Sequence, residues 1–424
     1  MKSFYRKRIA LVVISAFYLL GLSAQSTFTN PFKEADKLWA QDKENYCSPI
    51  RYLEQVEEDS LSKFEKNIYY DASATYHSIV SDFEQTIRFD LVRRRQRTHQ
   101  PEPLIDATFG FYRMSSAKEE IVKLAREHDV IMINESHHTP YHRSFVSDLL
   151  PELQKLGYNY LALEALSHEQ KINERKYPCF EDGFYTREPL FGEMIRRAVA
   201  LDYKLVAYEA QEKCDSKKGK KGDRYYCQRF RDSLQAVNIY RIMEQDDKAR
   251  IVVLAGYSHI KKKGKPNRTR MASYYKRLSG VTPLSIDQTT MMDFGDANLL
   301  DSYYQHAFDS LPNEPIVYVD EDGYTWSHSS RVDVTVFSPK LSKIDNRYSF
   351  YKLPGKVAHS PQIDDERVAF VQAFYEKEAE TAVPADQYFK EEDEKCLYLY
   401  PGSYRIQFRD ASGALLFERT EEIR

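Results

Sequence analysis

The chain has 424 residues, with 61 Lys and Arg against 64 Asp and Glu and a formal net charge of −3. Near-cancelling charge does not suggest a nucleic-acid binder, which usually shows a basic face, so no nucleic-acid partner is expected. The length allows two or three domains.

Residues 1–24 read as a cleavable signal peptide. Lys2, Arg6, Lys7 and Arg8 form a positive start. An apolar run over 9–22 follows, broken only by Ser15 and Gly21, and then small residues at Ser23 and Ala24. That order directs export. The run is shorter than the roughly 20 residues a spanning helix needs, so no membrane span remains after cleavage. The expected location is periplasmic or secreted, where disulfides form.

Residues 25–115 are polar and predict helices. Apolar positions in 35–40 and 68–89 recur at three- and four-residue spacing. The arginine-rich stretch 93–101 reads as a solvated connection.

Residues 116–300 change character. Apolar runs at 130–133, 158–163, 204–208 and 251–255, with a weaker one at 283–286, predict strands. Helical patterns lie between them. One starts at Tyr141 and carries Phe145, Val146, Leu149, Leu150 and Leu153 on one side, with Pro151 expected to kink or restart it. Others cover 190–201 and 228–244. This alternation predicts an α/β fold with a mainly parallel sheet flanked by helices, its strands buried on both faces. Residues 301–424 predict a small β-rich appendage, with strands at 316–319, 332–337, 396–400, 404–408 and 415–419. Among the cysteines Cys47, Cys179, Cys214, Cys227 and Cys396, the pair Cys214 and Cys227 brackets a basic stretch and is placed to staple it. The odd number leaves one thiol unpaired in a monomer.

In a parallel sheet, ligands bind beyond the carboxyl ends of the strands. The first strand is followed by Asn134, Glu135, Ser136, His137 and His138, with His142 close behind. The second is followed by Glu164, the third by Glu209, and the fourth by Gly256, Tyr257, Ser258 and His259. Four strands thus deliver a Glu or a His to one rim. A His can take a proton from water, and a carboxylate beside it fixes the ring and stabilises the imidazolium. The same residue types can also hold a divalent metal. Each has a plainer reading: Glu135 as a helix cap, His138 and His142 as one helical face, Glu209 as an ordinary polar residue after a strand, and His259 as a solvated neighbour of Lys261–Lys263.

The ordered set Asn134-Glu-Ser-His137, Leu161-Ala-Leu-Glu-Ala165 and Ala255-Gly-Tyr-Ser-His259 resembles the erythromycin esterase-like/ChaN-like superfamily, which also includes TIKI-type proteases. The resemblance covers residues 118–290. It implies that Glu135, His137, Glu164 and His259 line the pocket. In the esterase branch a His is the base for water and no cofactor is required. In the TIKI branch the related positions serve metal-dependent peptide cleavage, and the ChaN branch is linked to haem and iron. Asn134 stands where the family has Gly, and the turn there is expected to tolerate Asn in a left-handed conformation.

The reading that follows is an exported hydrolase of an ester, lactone or amide, acting on a small-molecule or peptide substrate. His137 would be the base, Glu164 or Glu135 would orient it, and His259 would polarise the substrate or protonate the leaving group. His138, His142, Glu209 and Asn134 would bind substrate. Two other readings are a haem- or metal-binding exported protein without turnover and a non-catalytic interaction module using its C-terminal strands. His137 and His259 are expected to share one cleft with Glu164.

Overall fold

The computed structural model describes residues 29–95, 105–390 and 395–424. The signal sequence expected over 1–24, and most of the connection expected over 93–101, lie outside these residues.

Four helices come first: α1 (Pro31–Gln41), α2 (Ser48–Glu54), α3 (Lys63–Ile79) and α4 (Phe83–Arg95). Local signals set their ends. Asn30 caps α1, and Ser62 with Glu65 forms a capping box on α3. The stretch 68–89 is not one helix. Ser81 takes a left-handed φ of 62°, and Asp82 then accepts the Gln85 N–H at 3.3 Å to start α4. Trp39, Tyr76 and Phe180 bury together with Phe370 from the C-terminal half.

Next in chain order come β1 (Arg113–Ser116), α5 (Ala117–Ala125), β2 (Val130–Glu135), α6 (Tyr141–Lys155) and β3 (Tyr160–Leu163). They are followed by the single turn α7 (Ile172–Arg175), α8 (Pro189–Ala200), β4 (Lys204–Ala207), α9 (Tyr226–Gln245) and β5 (Ile251–Gly256). The series ends with α10 (Met271–Ser279), β6 (Leu284–Met291), α11 (Ser302–Ala307), β7 (Ile316–Val319) and β8 (Val334–Phe337). The eight strands form one sheet in the order β1-β7-β8-β6-β2-β5-β3-β4. Only β7 runs against the others, pairing antiparallel with β1 and β8. The fold is α/β with a mostly parallel sheet, as the strand–helix alternation predicts.

Strand alternation divides the core. Ile131, Ile133, Leu161, Leu163, Val252 and Leu254 face α5, α6 and α8. Val130, Met132, Ala162, Ile251, Val253 and Ala255 face α9 and α10. Each strand is therefore apolar throughout, because both of its faces are covered. Pro151 does not restart the helix: α6 runs through it. Leu149, Leu150 and Leu153, each 0% exposed around it, outweigh one missing backbone bond, since each buried leucine contributes about 1.5–3 kcal/mol.

The sheet does not end at residue 300. The runs predicted at 316–319 and 332–337 supply β7 and β8 to the main sheet rather than to an appendage. Beyond them lie β9 (Lys343–Ile344), β10 (Arg347–Tyr348), β11 (Val357–His359), β12 (Phe370–Tyr375), β13 (Asp386–Phe389), β14 (Leu397–Leu399), β15 (Gly402–Arg409) and β16 (Leu415–Ile423). An antiparallel sheet in the order β13-β12-β15-β16 dominates this part. Cys214 and Cys227 form a disulfide, while Cys47, Cys179 and Cys396 are free and buried. Among the described residues no helix is long and apolar enough to cross a membrane.

Candidate active site

The register of the central strands builds the rim. Glu135 at the end of β2 pairs with Gly256 at the end of β5, and Leu163 of β3 pairs with Leu254. Residues leaving these strands therefore emerge side by side. They open a cleft of about 500 Å3 whose walls include His137, Glu164, Glu209, Arg231, Tyr257 and His259.

His137 is fixed from three directions. Its Nδ1 lies 2.9 Å from Glu135 Oε1. Its ring stacks on Tyr185 at 4.2 Å between centroids. Its Nε2 faces Gly256, where an added Cβ would fall 2.7 Å from that nitrogen and 3.3 Å from Glu164 Oε2. The glycine is thus a clearance that brings the imidazole over the end of β5. Burial opposes a charged His137, but the hydrogen bond and charge of Glu135, with Glu164 adding to them, raise its pKa above the ordinary histidine value.

Glu135 is anchored in turn. Its Oε2 accepts from Arg143 Nε at 2.9 Å, and Arg143 also donates to Glu188 Oε2 at 3.0 Å and to the His137 carbonyl at 2.6 Å. Arg143 is fully buried. Glu188 caps α8 by accepting the Leu190 and Phe191 N–H groups, both at 2.8 Å. Burial alone would raise the Glu135 carboxyl; Arg143 and His137 overcome it and lower its pKa to about 2.

The opposite wall centres on α9. His259 Nδ1 lies 2.6 Å from Asp232 Oδ1, a carboxylate with no exposure that also accepts the Met271 N–H at 2.9 Å. His259 Nε2 faces Arg231 Nη1 at 3.2 Å. A guanidinium can only donate, so in this contact His259 Nε2 is the acceptor. Arg231 also donates to Glu209 Oε1 at 2.8 Å, and its Nη2 bridges Glu164 and Glu209. Glu164 Oε2 accepts the Gly256 N–H at 2.5 Å. Burial would raise Glu164, yet His259, His137 and Arg231 hold it below the usual carboxylate range.

His137, Glu164, Glu209 and His259 thus reach one cleft, with Glu135 directly behind His137. The other three residues expected to bind substrate lie elsewhere. Asn134 is buried within β2. Its amide donates to the Tyr257 carbonyl at 2.9 Å, to Asp287 Oδ1 at 2.9 Å and to Thr289 Oγ1 at 3.0 Å, and its Oδ1 accepts the Gln288 N–H at 2.8 Å. It ties β2 to β6, and its backbone is not left-handed; Tyr257, with φ 35°, takes that conformation instead. His138 turns away to Asp90 of α4 at 3.2 Å. His142 accepts the Ser136 N–H at 3.1 Å and walls a different cavity with Tyr141 and Phe350. Burial lowers its pKa to about 3, so it stays neutral. Arg231, Asp232, Arg143, Glu188 and Tyr185 complete the site without any motif marking them.

A divalent cation does not fit this donor set. The Arg231 guanidinium already sits among Glu164, Glu209 and His259 Nε2. Among the described residues no three His, Cys, Asp or Glu side chains converge as a metal-ligand set.

No family model matches the chain, and no curated protein matches it. Among solved structures it is similar to the type III effector HopBA1, at 12% identity and TM-score 0.36, covering 54% of this chain and 97% of that one. It is also similar to ChaN of Campylobacter jejuni, whose structure concerns cofacial heme binding, at 15% identity and TM-score 0.31, covering 43% and 89%. A structure described as bacterial protein toxins matches at 11% identity and TM-score 0.33, covering 63% and 67%.

Proposed function

We propose that this chain is an exported hydrolase that cleaves an ester, lactone or amide by His/Glu general acid–base chemistry. One observation carries the reading: a buried carboxylate holds His137 Nδ1 at 2.9 Å while Nε2 faces the cleft over Gly256. A proton on Nδ1 toward Glu135 leaves the Nε2 lone pair to deprotonate water, and the imidazolium so formed lies against the Glu135 carboxylate. Arg231, rather than His259, is the group that faces the developing oxyanion, because His259 Nε2 accepts a hydrogen bond and has no proton to give. Glu164 and Glu209 aim that guanidinium. The resemblance of the Glu135–His137, Glu164 and His259 motifs to the erythromycin esterase-like superfamily supports the same chemistry. Export is supported by the charged and apolar zones of residues 1–24 and by the Cys214–Cys227 disulfide.

The test is a panel of esters, lactones and peptides assayed with wild type and His137→Ala. Losing a positioned base costs about 10²–10⁴-fold in rate. Equal turnover by the two proteins would end the assignment. N-terminal sequencing of the secreted protein should begin just after Ala24; a mature product that keeps residues 1–24 would remove export from the proposal.

A further inference from the structure

Two basic segments that are distant in sequence meet at one lip of the cleft. Residues 211–230 hold seven Lys and Arg against three Asp and Glu, and residues 261–270 hold six with no acid. The first segment follows Glu209 and contains Gln228, both of which line the cleft; the second leaves the cleft just after His259. They are docked on each other. Arg229 Nη1 donates to the Asn267 carbonyl at 2.8 Å, and the Arg268 guanidinium lies 4.6 Å from the Tyr225 ring centroid. The Cys214–Cys227 disulfide closes the stem of the first loop at a Cα separation of 5.5 Å.

Few of these cations are neutralised. Arg229 pairs with Asp223, Lys262 with Asp333, and Arg270 approaches Asp232 at 3.6 Å. Lys217, Lys218, Lys220, Lys221, Lys263 and Lys265 are exposed and take part in no ion pair among the described residues. Crowding is felt at Lys261: burial lowers its pKa, and Arg331 and Arg270 add to that against the pull of Asp287. A chain whose total charge is −3 thus concentrates positive potential beside its cleft. Such a concentration raises the local density and the capture rate of anions.

We propose that this collar binds an acidic polysaccharide and presents it to the cleft, which makes the substrate an ester or amide borne on a chain of repeated carboxylate, sulfate or phosphate groups. The substrate half of the statement rests on the hydrolase reading; the binding half does not. A glycan is favoured over other polyanions by what the collar lacks. The exposed large apolar side chains of the described residues, such as Phe64, Phe111 and Tyr324, lie outside both segments, so neither carries the apolar anchor that inserts into a lipid surface. Single-stranded nucleic acid needs free aromatic faces for its bases. At the junction Tyr225 already carries Arg224 at 4.9 Å and Arg268 at 4.6 Å over its ring, Tyr226 packs against Gly219, and neither these nor Phe230 is among the exposed large aromatics. Repeated point charges without a stacking platform match a polymer read by charge alone.

The test uses the full mature, oxidised protein and dextran sulfate, with neutral dextran, phosphatidylglycerol-containing vesicles and a single-stranded oligonucleotide as parallel probes. Wild type should bind dextran sulfate with an affinity that falls as salt rises, and should bind each other probe more weakly. The variant Lys217→Gln/Lys218→Gln/Lys220→Gln/Lys221→Gln should bind about tenfold or more weakly at fixed salt, with a shallower salt dependence. A control, Lys123→Gln/Lys155→Gln/Lys248→Gln, removes charge on the amino-end side of the central strands β2, β3 and β5 and should bind as wild type does. Circular dichroism and thermal melts confirm that both variants fold. No binding to dextran sulfate, an unaffected loop variant, or tighter binding to the vesicles or the oligonucleotide would each overturn the proposal. His137→Ala should bind normally. Binding without turnover on any substrate would therefore end the hydrolase reading and leave the collar, whereas turnover without binding would do the reverse.

Discussion

The two walls of the cleft hold an imidazole in similar ways and leave it with different freedom. Glu135 fixes His137 from behind at 2.9 Å, and Asp232 fixes His259 at 2.6 Å, each through Nδ1. The difference lies at Nε2. That of His137 faces the clearance over Gly256, while that of His259 accepts a hydrogen bond from Arg231 at 3.2 Å. One wall leaves an imidazole nitrogen open to the cleft; the other holds a guanidinium in place. The carboxylate partner alone does not make a histidine reactive, because what meets the second nitrogen decides whether it can exchange a proton.

Alanine substitutions test that contrast most severely. His137→Ala should lower kcat by about 10²–10⁴-fold. His259→Ala should act mainly through Arg231, with a smaller loss in kcat and little change in KM, because the oxyanion exists only after attack. Steady-state kinetics on one hydrolysed substrate separates the two, and equal kcat losses would erase the distinction between the walls. Stability should show the asymmetry as well. Arg143 is buried between Glu135 and Glu188, so Arg143→Met leaves Glu188 without a cation and Glu135 with His137 alone, and should cost about 3–5 kcal/mol in urea unfolding. Gly256→Ala comes next in size. Its Cβ would sit 2.7 Å from His137 Nε2 and 2.9 Å from Cε1, displacing the ring. A displacement near 1 Å costs roughly 10²-fold in rate, and the thermal midpoint should change little. Undiminished turnover would mean that the ring position is not what Gly256 protects.

The base wall was more legible in the sequence than the guanidinium wall. Strands β2, β3 and β5 announce themselves because both faces are buried, and their ends place Glu135, His137, Glu164 and His259 at one rim. Arg231 and Asp232 sit inside α9, whose sequence mixes polar and apolar residues all round, so nothing local separates a buried Asp232 from a solvated one. Tyr185 opens a three-residue 3-10 turn and Glu188 caps α8 after it, a stretch too short to carry a readable period. Asn134 was misplaced for the opposite reason: a motif position suggested a turn, but four hydrogen bonds to β5 and β6 neighbours make it a strand residue. In the C-terminal part, β12 and β13 were not anticipated because each hides a polar residue in the core. Gln372 and Gln387 are fully buried and bond to each other at 2.8 Å, a pairing visible only after the strands have met.

The finest difference between the walls is the pH response of His137. Its pKa is raised by Glu135 against burial, and a base must be neutral to act. The acid limb of kcat/KM should therefore lie above the ordinary histidine value, with activity falling as pH drops through it. Glu135→Gln keeps the shape of the side chain and removes its charge. Burial and the Arg143 charge then oppose protonation with less to offset them, so the limb should move to lower pH. Stability gives an independent reading of the same pair. Glu135 is lowered from 4.5 to about 2, so its contribution is present above 4.5 and is lost as pH falls toward 2. His137 has the opposite sign: its contribution is present below the unfolded-state value and is lost as pH rises through the raised folded-state value. Wild type should thus lose urea resistance between pH 4.5 and 2 more steeply than Glu135→Gln does. A limb that stays in place in Glu135→Gln would show that some other group sets the protonation of His137.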